Sequence, residues 1–230
     1  MRAQEMRAVV LLSGGLDSAT CLYWAKSKGW RTTALCVRYG QRHAQEARSA
    51  RALARKAGAD FLEVSLRLPW LKASSLCDPR RRLPDSPLER IGQGAIPSTY
   101  VPGRNTLFAA LGLSLADAMG ARAVLIGANA LDSSGYPDCR ADFFGALRRA
   151  AKLGTRSGQE GAGIAILTPL IGLDKAAIVR LASRLKVPLG LTWSCYRGGR
   201  EPCGRCDSCK LRAKGFQGAG LHDPLIAAGV

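Results

Sequence analysis

The chain has 230 residues, 47% hydrophobic and 22% charged, which is ample material for a buried core and excludes a disordered or collagen-like polymer. The apolar run Ala8 to Leu12 is too short for the core of a signal peptide and no stretch approaches the about 18 apolar residues of a membrane span, so a cytoplasmic protein with no membrane partner is expected. A net charge of +17 raises a nucleic-acid or polyphosphate partner, although arginine is spread along the whole chain and dense only at Arg80-Arg81-Arg82, as compositional bias would leave it.

Ala8–Leu12 reads as a strand buried on both faces of a parallel sheet, running into Ser13-Gly14-Gly15. A helix over Asp17–Lys28 and a strand over Thr32–Val37 follow. The next helix, His43–Lys56, sets Ala50, Leu53, Ala54 and Ala57 on one face and Arg48, Arg51 and Arg55 on another. Phe61–Val64 is a third strand, and Leu66–Ile96, broken by prolines and charges, is expected to be an irregular, partly mobile excursion. In Asn105–Met119 the residues Leu107, Phe108, Leu111, Leu113 and Leu115 point around the whole circumference, which predicts a helix buried between layers. A strand at Ala123–Gly127, a helix at Ala141–Leu153, a strand at Ile164–Leu167 and a helix at Asp174–Leu185 complete the alternation, the last keeping Ile178, Leu181, Ala182 and Leu185 on one face. Such alternation predicts an α/β fold, a doubly wound open parallel sheet over residues 1–188, with 189–230 as a small cysteine-bearing segment packed on it.

Ser13-Gly14-Gly15-Leu16-Asp17-Ser18 lies where the first strand turns into the first helix, so backbone N–H groups and the positive helix end converge there on an anion. The loop lacks the Lys-Ser/Thr ending of a P-loop. It resembles the pyrophosphate loop of the ATP pyrophosphatase (PP-loop) superfamily, whose fold is adenine nucleotide alpha hydrolase-like and whose members cleave ATP between the α- and β-phosphates. On that resemblance Leu12, Ser13, Gly14, Gly15, Leu16, Asp17, Ser18, Ala19 and Thr20 are the expected ATP-binding residues.

Four cysteines, Cys195, Cys203, Cys206 and Cys209, supply soft ligands at spacings that wrap one tetrahedral ion, with Gly198-Gly199 and Gly204 as turns. Zinc and an iron–sulfur cluster both answer to this pattern; the upstream fourth ligand and the missing Cys-Pro ending favour zinc, in a closed and therefore structural site. The other four, Cys21, Cys36, Cys77 and Cys139, are scattered, which argues against a disulfide scaffold.

Three polar strings fall on the carboxyl rim of the predicted sheet: Tyr39-Gly40-Gln41-Arg42-His43, Tyr100-Val101-Pro102-Gly103-Arg104-Asn105, and Asp132 through Arg140. With Thr168-Pro169-Leu170, Asp174-Lys175 and Thr192-Trp193-Ser194-Cys195-Tyr196 they resemble, in order and over nearly the full chain, the 7-cyano-7-deazaguanine synthase (QueC) family. The resemblance implies a ligase that converts 7-carboxy-7-deazaguanine and ammonia to the 7-nitrile with ATP, through an adenylated acid and an adenylated amide, on the route to queuosine. It also implies a four-cysteine zinc site and a homodimer; the free base as substrate makes a direct nucleic-acid partner unexpected. Ser13, Asp17, Ser18, Arg104 and Lys175 are the candidate catalytic residues, Asp17 to hold magnesium and Lys175 or Arg104 to neutralise phosphate or carboxylate. Gln41, Arg42, His43, Arg104, Asn105, Asp132, Tyr136, Asp138 and Arg140 are candidates to bind the substrate, and His222 is a bystander. Other readings stay open: a tRNA-thiolating pyrophosphatase, a relative that attaches the deazaguanine to a macromolecule, and a zinc-ribbon nucleic-acid module with a degenerate ATP domain.

Overall fold

A computed structural model describes residues 6–42, 45–93 and 96–226. Strand β1 (Arg7–Leu11) leads into α1 (Leu16–Ser27), followed by β2 (Arg31–Arg38), α2 (Gln45–Ala57) and β3 (Asp60–Ser65). Beyond the excursion come α3 (Arg104–Met119), β4 (Ala123–Leu125), α4 (Ala130–Gly135), α5 (Ala141–Gly154), α6 (Arg156–Gln159), β5 (Ala165–Leu167), α7 (Lys175–Arg184) and α8 (Asp207–Ala219). All five strands are parallel, in the order β3-β2-β1-β4-β5.

The two-residue period of the strands divides their side chains between two cores. Val10, Leu12, Ala34, Cys36 and Leu125 face α1, α2 and α7, while Val9, Leu11, Leu35, Val37, Val124 and Ile166 face α3 and α5. The helix enclosed around most of its circumference is α1, which buries Leu16, Ser18, Ala19, Thr20, Cys21, Leu22 and Ala25. Helix α3, expected in that place, instead buries Asn105, Ala109, Gly112, Leu113 and Ala116, leaves Leu107, Leu111 and Leu115 half-buried, and exposes Thr106, Ala110 and Ser114. Small residues take the sheet face because they let the helix come close: a Cβ on Gly112 would stand 2.9 Å from Val124 Cγ1.

The excursion is irregular, with short 3-10 turns at Pro69–Ala73 and Leu88–Arg90, but it is tied down. Leu71 and Leu76 form a small core with Tyr39 and Val101. Ser86 donates through its N–H (2.7 Å) and hydroxyl (3.1 Å) to the Asp207 carboxylate, and Lys210 Nζ donates to Asp85 (2.7 Å) and to the Ser86 carbonyl (2.7 Å). Helix α8 has no counterpart in the sequence reading because cysteines, lysines and glycines interrupt its apolar period. It packs on α7, and Phe216 joins the core around Ile178 and Val179. Arg212 closes this end of the molecule with a buried ion pair to Asp223 (2.6 and 2.9 Å) and a hydrogen bond to Thr192 Oγ1 (2.8 Å). No described helix is long and apolar enough to cross a membrane.

Candidate functional site

Strand β1 lies between β2 and β4, from which the chain proceeds in opposite directions, so a crevice opens beyond its carboxyl end. A cavity of about 230 Å³ occupies it. The loop between β1 and α1 supplies Ser13, Gly15, Asp17 and Ser18; the segment after β2 supplies Tyr39, Gln41 and Glu46; and Arg104, Asn105, Phe108, Tyr136, Cys139 and Tyr196 come from farther along the chain.

The loop is held in one conformation by its own serines: the N–H of Ser13 donates to Ser18 Oγ (3.2 Å), the two hydroxyls lie 3.1 Å apart, and Ser18 Oγ donates to the Gly15 carbonyl (3.1 Å). Gly14 adopts φ +90°, and a Cβ there would lie 2.2 Å from the Glu46 carbonyl oxygen, so only glycine fits beneath α2. From the far end of the chain, the N–H of Trp193 donates to the Gly14 carbonyl (2.8 Å). Gly15 caps α1 without a side-chain hydrogen bond, so the first N–H groups of this helix remain donors for an anion.

Asp17 stands in the first turn of α1, where its Oδ2 accepts from Lys175 Nζ (2.6 Å) and from Asn129 Nδ2 (3.0 Å). Its other oxygen, Oδ1, is buried with no hydrogen-bond partner among the described residues. Leaving a carboxylate oxygen unsatisfied is costly, and a divalent cation is the natural complement. Asn129, fully buried, is oriented by the N–H of Leu131 on its Oδ1 (3.0 Å). Sequence reasoning missed it, since one asparagine after a strand carries no signal.

The rim residues divide into two groups. Tyr136, Arg104 and Gln41 line the cavity: the Tyr136 hydroxyl hydrogen-bonds Thr99 Oγ1 (2.8 Å) and Gln41 Oε1 accepts from the Tyr39 N–H (2.8 Å). Burial works against the Arg104 guanidinium, but Tyr39, with Tyr136 and Cys139, outweighs it and holds the group above its ordinary pKa. Burial also pushes the Tyr39 phenol up to about 12 and the Glu46 carboxyl up to about 7, with Arg104 opposing both.

The second group holds the framework. Arg42 donates to the backbone carbonyls of Ser75 (3.4 Å), Arg81 (3.1 Å) and Pro79 (2.6 Å), which clamps the excursion. Asp138 accepts from the N–H of Asn105 (2.9 Å) at the start of α3, while Asn105 Nδ2 donates to the Asp138 carbonyl (2.9 Å) and to Cys139 Sγ (3.0 Å). Arg140 is exposed before α5, outside the cavity lining. Among the expected substrate residues, His43 and the side chain of Asp132 lie outside the described residues. The dense arginines fall on a neighbouring hollow lined by Arg42, Arg80, Arg81, Arg82 and Arg197.

The sulfur atoms of Cys195, Cys203, Cys206 and Cys209 all lie within 4.8 Å of one another, and none of the eight cysteines is in a disulfide. Cys206 caps α8, and Gly198 and Gly204 take left-handed φ of 66° and 69°. Cys195 Sγ accepts from the N–H groups of Cys203 (3.3 Å) and Arg197 (3.4 Å). The neighbouring thiols of Cys206 and Cys209, with those N–H groups, lower the pKa of the Cys195 thiol, and the same shared hydrogen bonds raise the thiols of Cys206 and Cys209. Such a set could hold a metal ion.

The sequence model of a family described as "Queuosine biosynthesis protein QueC" matches residues 7–220. A 7-cyano-7-deazaguanine synthase of Trichodesmium erythraeum (strain IMS101) is 50% identical over 223 residues, covering 96% of this chain and 100% of that one. The enzyme of the same name from Azotobacter vinelandii (strain DJ / ATCC BAA-1303) is 48% identical, covering 96% and 97%. Among solved structures, NMN synthetase from Francisella tularensis superposes with a TM-score of 0.49 at 17% identity, over 98% of this chain and 89% of that one.

Proposed function

The chain belongs to the QueC family, and from this premise we propose that it makes 7-cyano-7-deazaguanine from 7-carboxy-7-deazaguanine, ammonia and ATP. The observation that carries the reading is the cavity in which an open helix end and the unsatisfied Asp17 oxygen meet a guanidinium and the planar rings of Tyr39 and Tyr136. A carboxylate loses its oxygen only once that oxygen is a good leaving group. Attack on the α-phosphorus of ATP gives an acyl adenylate and pyrophosphate. Ammonia displaces AMP and loses a proton, leaving the amide. The amide oxygen then attacks the α-phosphorus of a second ATP, releasing pyrophosphate and one N–H proton, and loss of AMP with the remaining N–H proton gives the nitrile; each product costs two ATP and one ammonia.

The protein's part is positioning and charge. The α1 N-terminus, with the Ser13 and Ser18 hydroxyls, holds phosphate oxygens; Lys175, seated on Asp17, adds positive charge; Arg104 faces the substrate carboxylate. Magnesium fits Asp17 on the evidence of its partnerless Oδ1, and when bound it would neutralise the leaving pyrophosphate. Zinc fits the four thiols, since Zn–S bonds of about 2.3 Å place tetrahedral sulfurs well inside the observed spread. With four thiolates it would be structural and keep Tyr196 at the cavity wall.

Mass spectrometry of a mixture of ATP, ammonium and the carboxylated base tests the proposal. The expected products are the free nitrile, AMP and pyrophosphate, with AMP release dependent on the base. ADP and phosphate alone, or the base bonded to a macromolecule, would overturn it.

A further inference from the structure

One carboxylate in the cavity has no task in the phosphate chemistry. Glu46 lies in the first turn of α2 and lines the cavity beside Gln41, Tyr39 and Arg104. Its backbone cannot withdraw, because the tight packing of Gly14 beneath the Glu46 carbonyl locks α2 onto the nucleotide loop. The charged or titratable groups acting with it include Arg104 from α3 and, from β2 and its end, Cys36 and Tyr39. Arg104 stays charged, while burial pushes both Cys36 and Tyr39 up to about 12 and keeps them neutral through the physiological range. Within this set Glu46 is therefore the group that changes charge near neutrality.

A partly desolvated carboxylate is strongly complemented by two parallel N–H donors one atom apart. The base of the proposed reaction carries such an edge: a ring N–H next to an exocyclic amine, with a ring oxo group on the other side of the N–H. Gln41 Oε1 is committed to the Tyr39 N–H, so the amide nitrogen is the end that this side chain offers a ligand. Its donor chemistry matches the oxo oxygen.

We propose that Glu46 is the specificity residue for the base, its two carboxylate oxygens accepting the ring N–H and the exocyclic amine while Gln41 Nε2 donates to the oxo group. This rests on the proposed reaction for the identity of the base. The pairing requires ionised Glu46, so affinity is full above the carboxyl's raised pKa and falls as pH drops through about 7.

Equilibrium binding of the carboxylated base and of its analogue lacking the exocyclic amine, measured calorimetrically on the full metal-loaded chain, is the test. The wild type is expected to prefer the amino base by roughly 10- to 100-fold, the scale of one bidentate base contact, and Glu46→Ala to bind the two equally. In turnover, Glu46→Ala should raise KM for the amino base far more than it lowers kcat. Should that variant fold poorly, the wild type alone still decides: its preference should shrink as pH falls from 8 to 5. Equal binding of both bases by the wild type, a preference flat with pH, a preference that survives in Glu46→Ala, or a kcat loss at constant KM would overturn the proposal. Because these are binding measurements, selective binding without nitrile formation would sink the proposed reaction and leave the assignment of Glu46 standing.

Discussion

Between Ser13 and Ser18 a short loop draws its supports from Glu46, Asn129, Lys175 and Trp193, spread over most of the chain. Between Cys195 and Cys209 four thiols converge through their own turns, and the segment reaches outward through Asp207, which holds the excursion at Ser86, and through Tyr196, which lines the cavity. Loss of a polar side chain from the first site should spare the fold and stop the chemistry. Damage to the second should unfold its surroundings and reach the chemistry indirectly, through Trp193 and Tyr196.

The largest effect is expected from Cys206→Ser. It removes one thiolate ligand while serine still serves the N-cap position of α8, where the Cys206 side chain makes no cap hydrogen bond, so the loss comes from the metal: metal should be released and stability should fall by on the order of 4 kcal/mol, with the end built by α8 failing first. Metal analysis of the anaerobically purified variant, with urea titration, checks this; full zinc occupancy, or iron with sulfide in the wild type, contradicts it.

Asp17→Asn should lower kcat by about 10²- to 10³-fold, comparable to removing one preorganised electrostatic group, while the melting transition stays near the wild type. Unchanged turnover at an unchanged magnesium requirement would remove the metal role from Asp17. Gly14→Ala probes the hinge between loop and helix: a left-handed backbone and the blocked contact with α2 should together cost about 2 to 3 kcal/mol and weaken ATP binding. Wild-type ATP affinity in that variant would show that α2 can move away from the loop. The smallest change is Ser86→Ala, which should cost about 1 kcal/mol and raise KM for the base, because it loosens the excursion from Asp207. If neither stability nor KM responds, the Ser86 N–H, Lys210, the Arg42 clamp and the apolar packing at Leu71 and Leu76 hold the excursion without the hydroxyl.

Much of the sheet is legible because parallel strands announce themselves as apolar runs, and the four-thiol cluster because its spacing is local. The helices are less so. The leucines of Asn105–Met119 suggested the most buried helix, yet depth in the sandwich followed the small residues Ala109, Gly112 and Ala116, whose value lies in what they allow the opposing Val124 to do. Glu46 stands three residues beyond His43, past the end of the polar string and inside a helix rich in charges, where nothing local marks it as facing the cavity. Arg42 looked like a ligand-facing cation, and its role as a clamp on Pro79 and Arg81 depends on a chain reversal that no local pattern encodes.

By itself, then, the sequence determined the alternation of strand and helix, the glycine turn from β1 into α1 and the four-thiol cluster, since each follows from interactions among residues a few positions apart. The tertiary structure decided which carboxylates and cations meet: Lys175 on Asp17, Glu46 near Arg104, Asp207 on Ser86. Those encounters join residues up to 158 positions apart, and whether a charged side chain becomes a clamp, a cap or a ligand depends on the burial and the partners it acquires there.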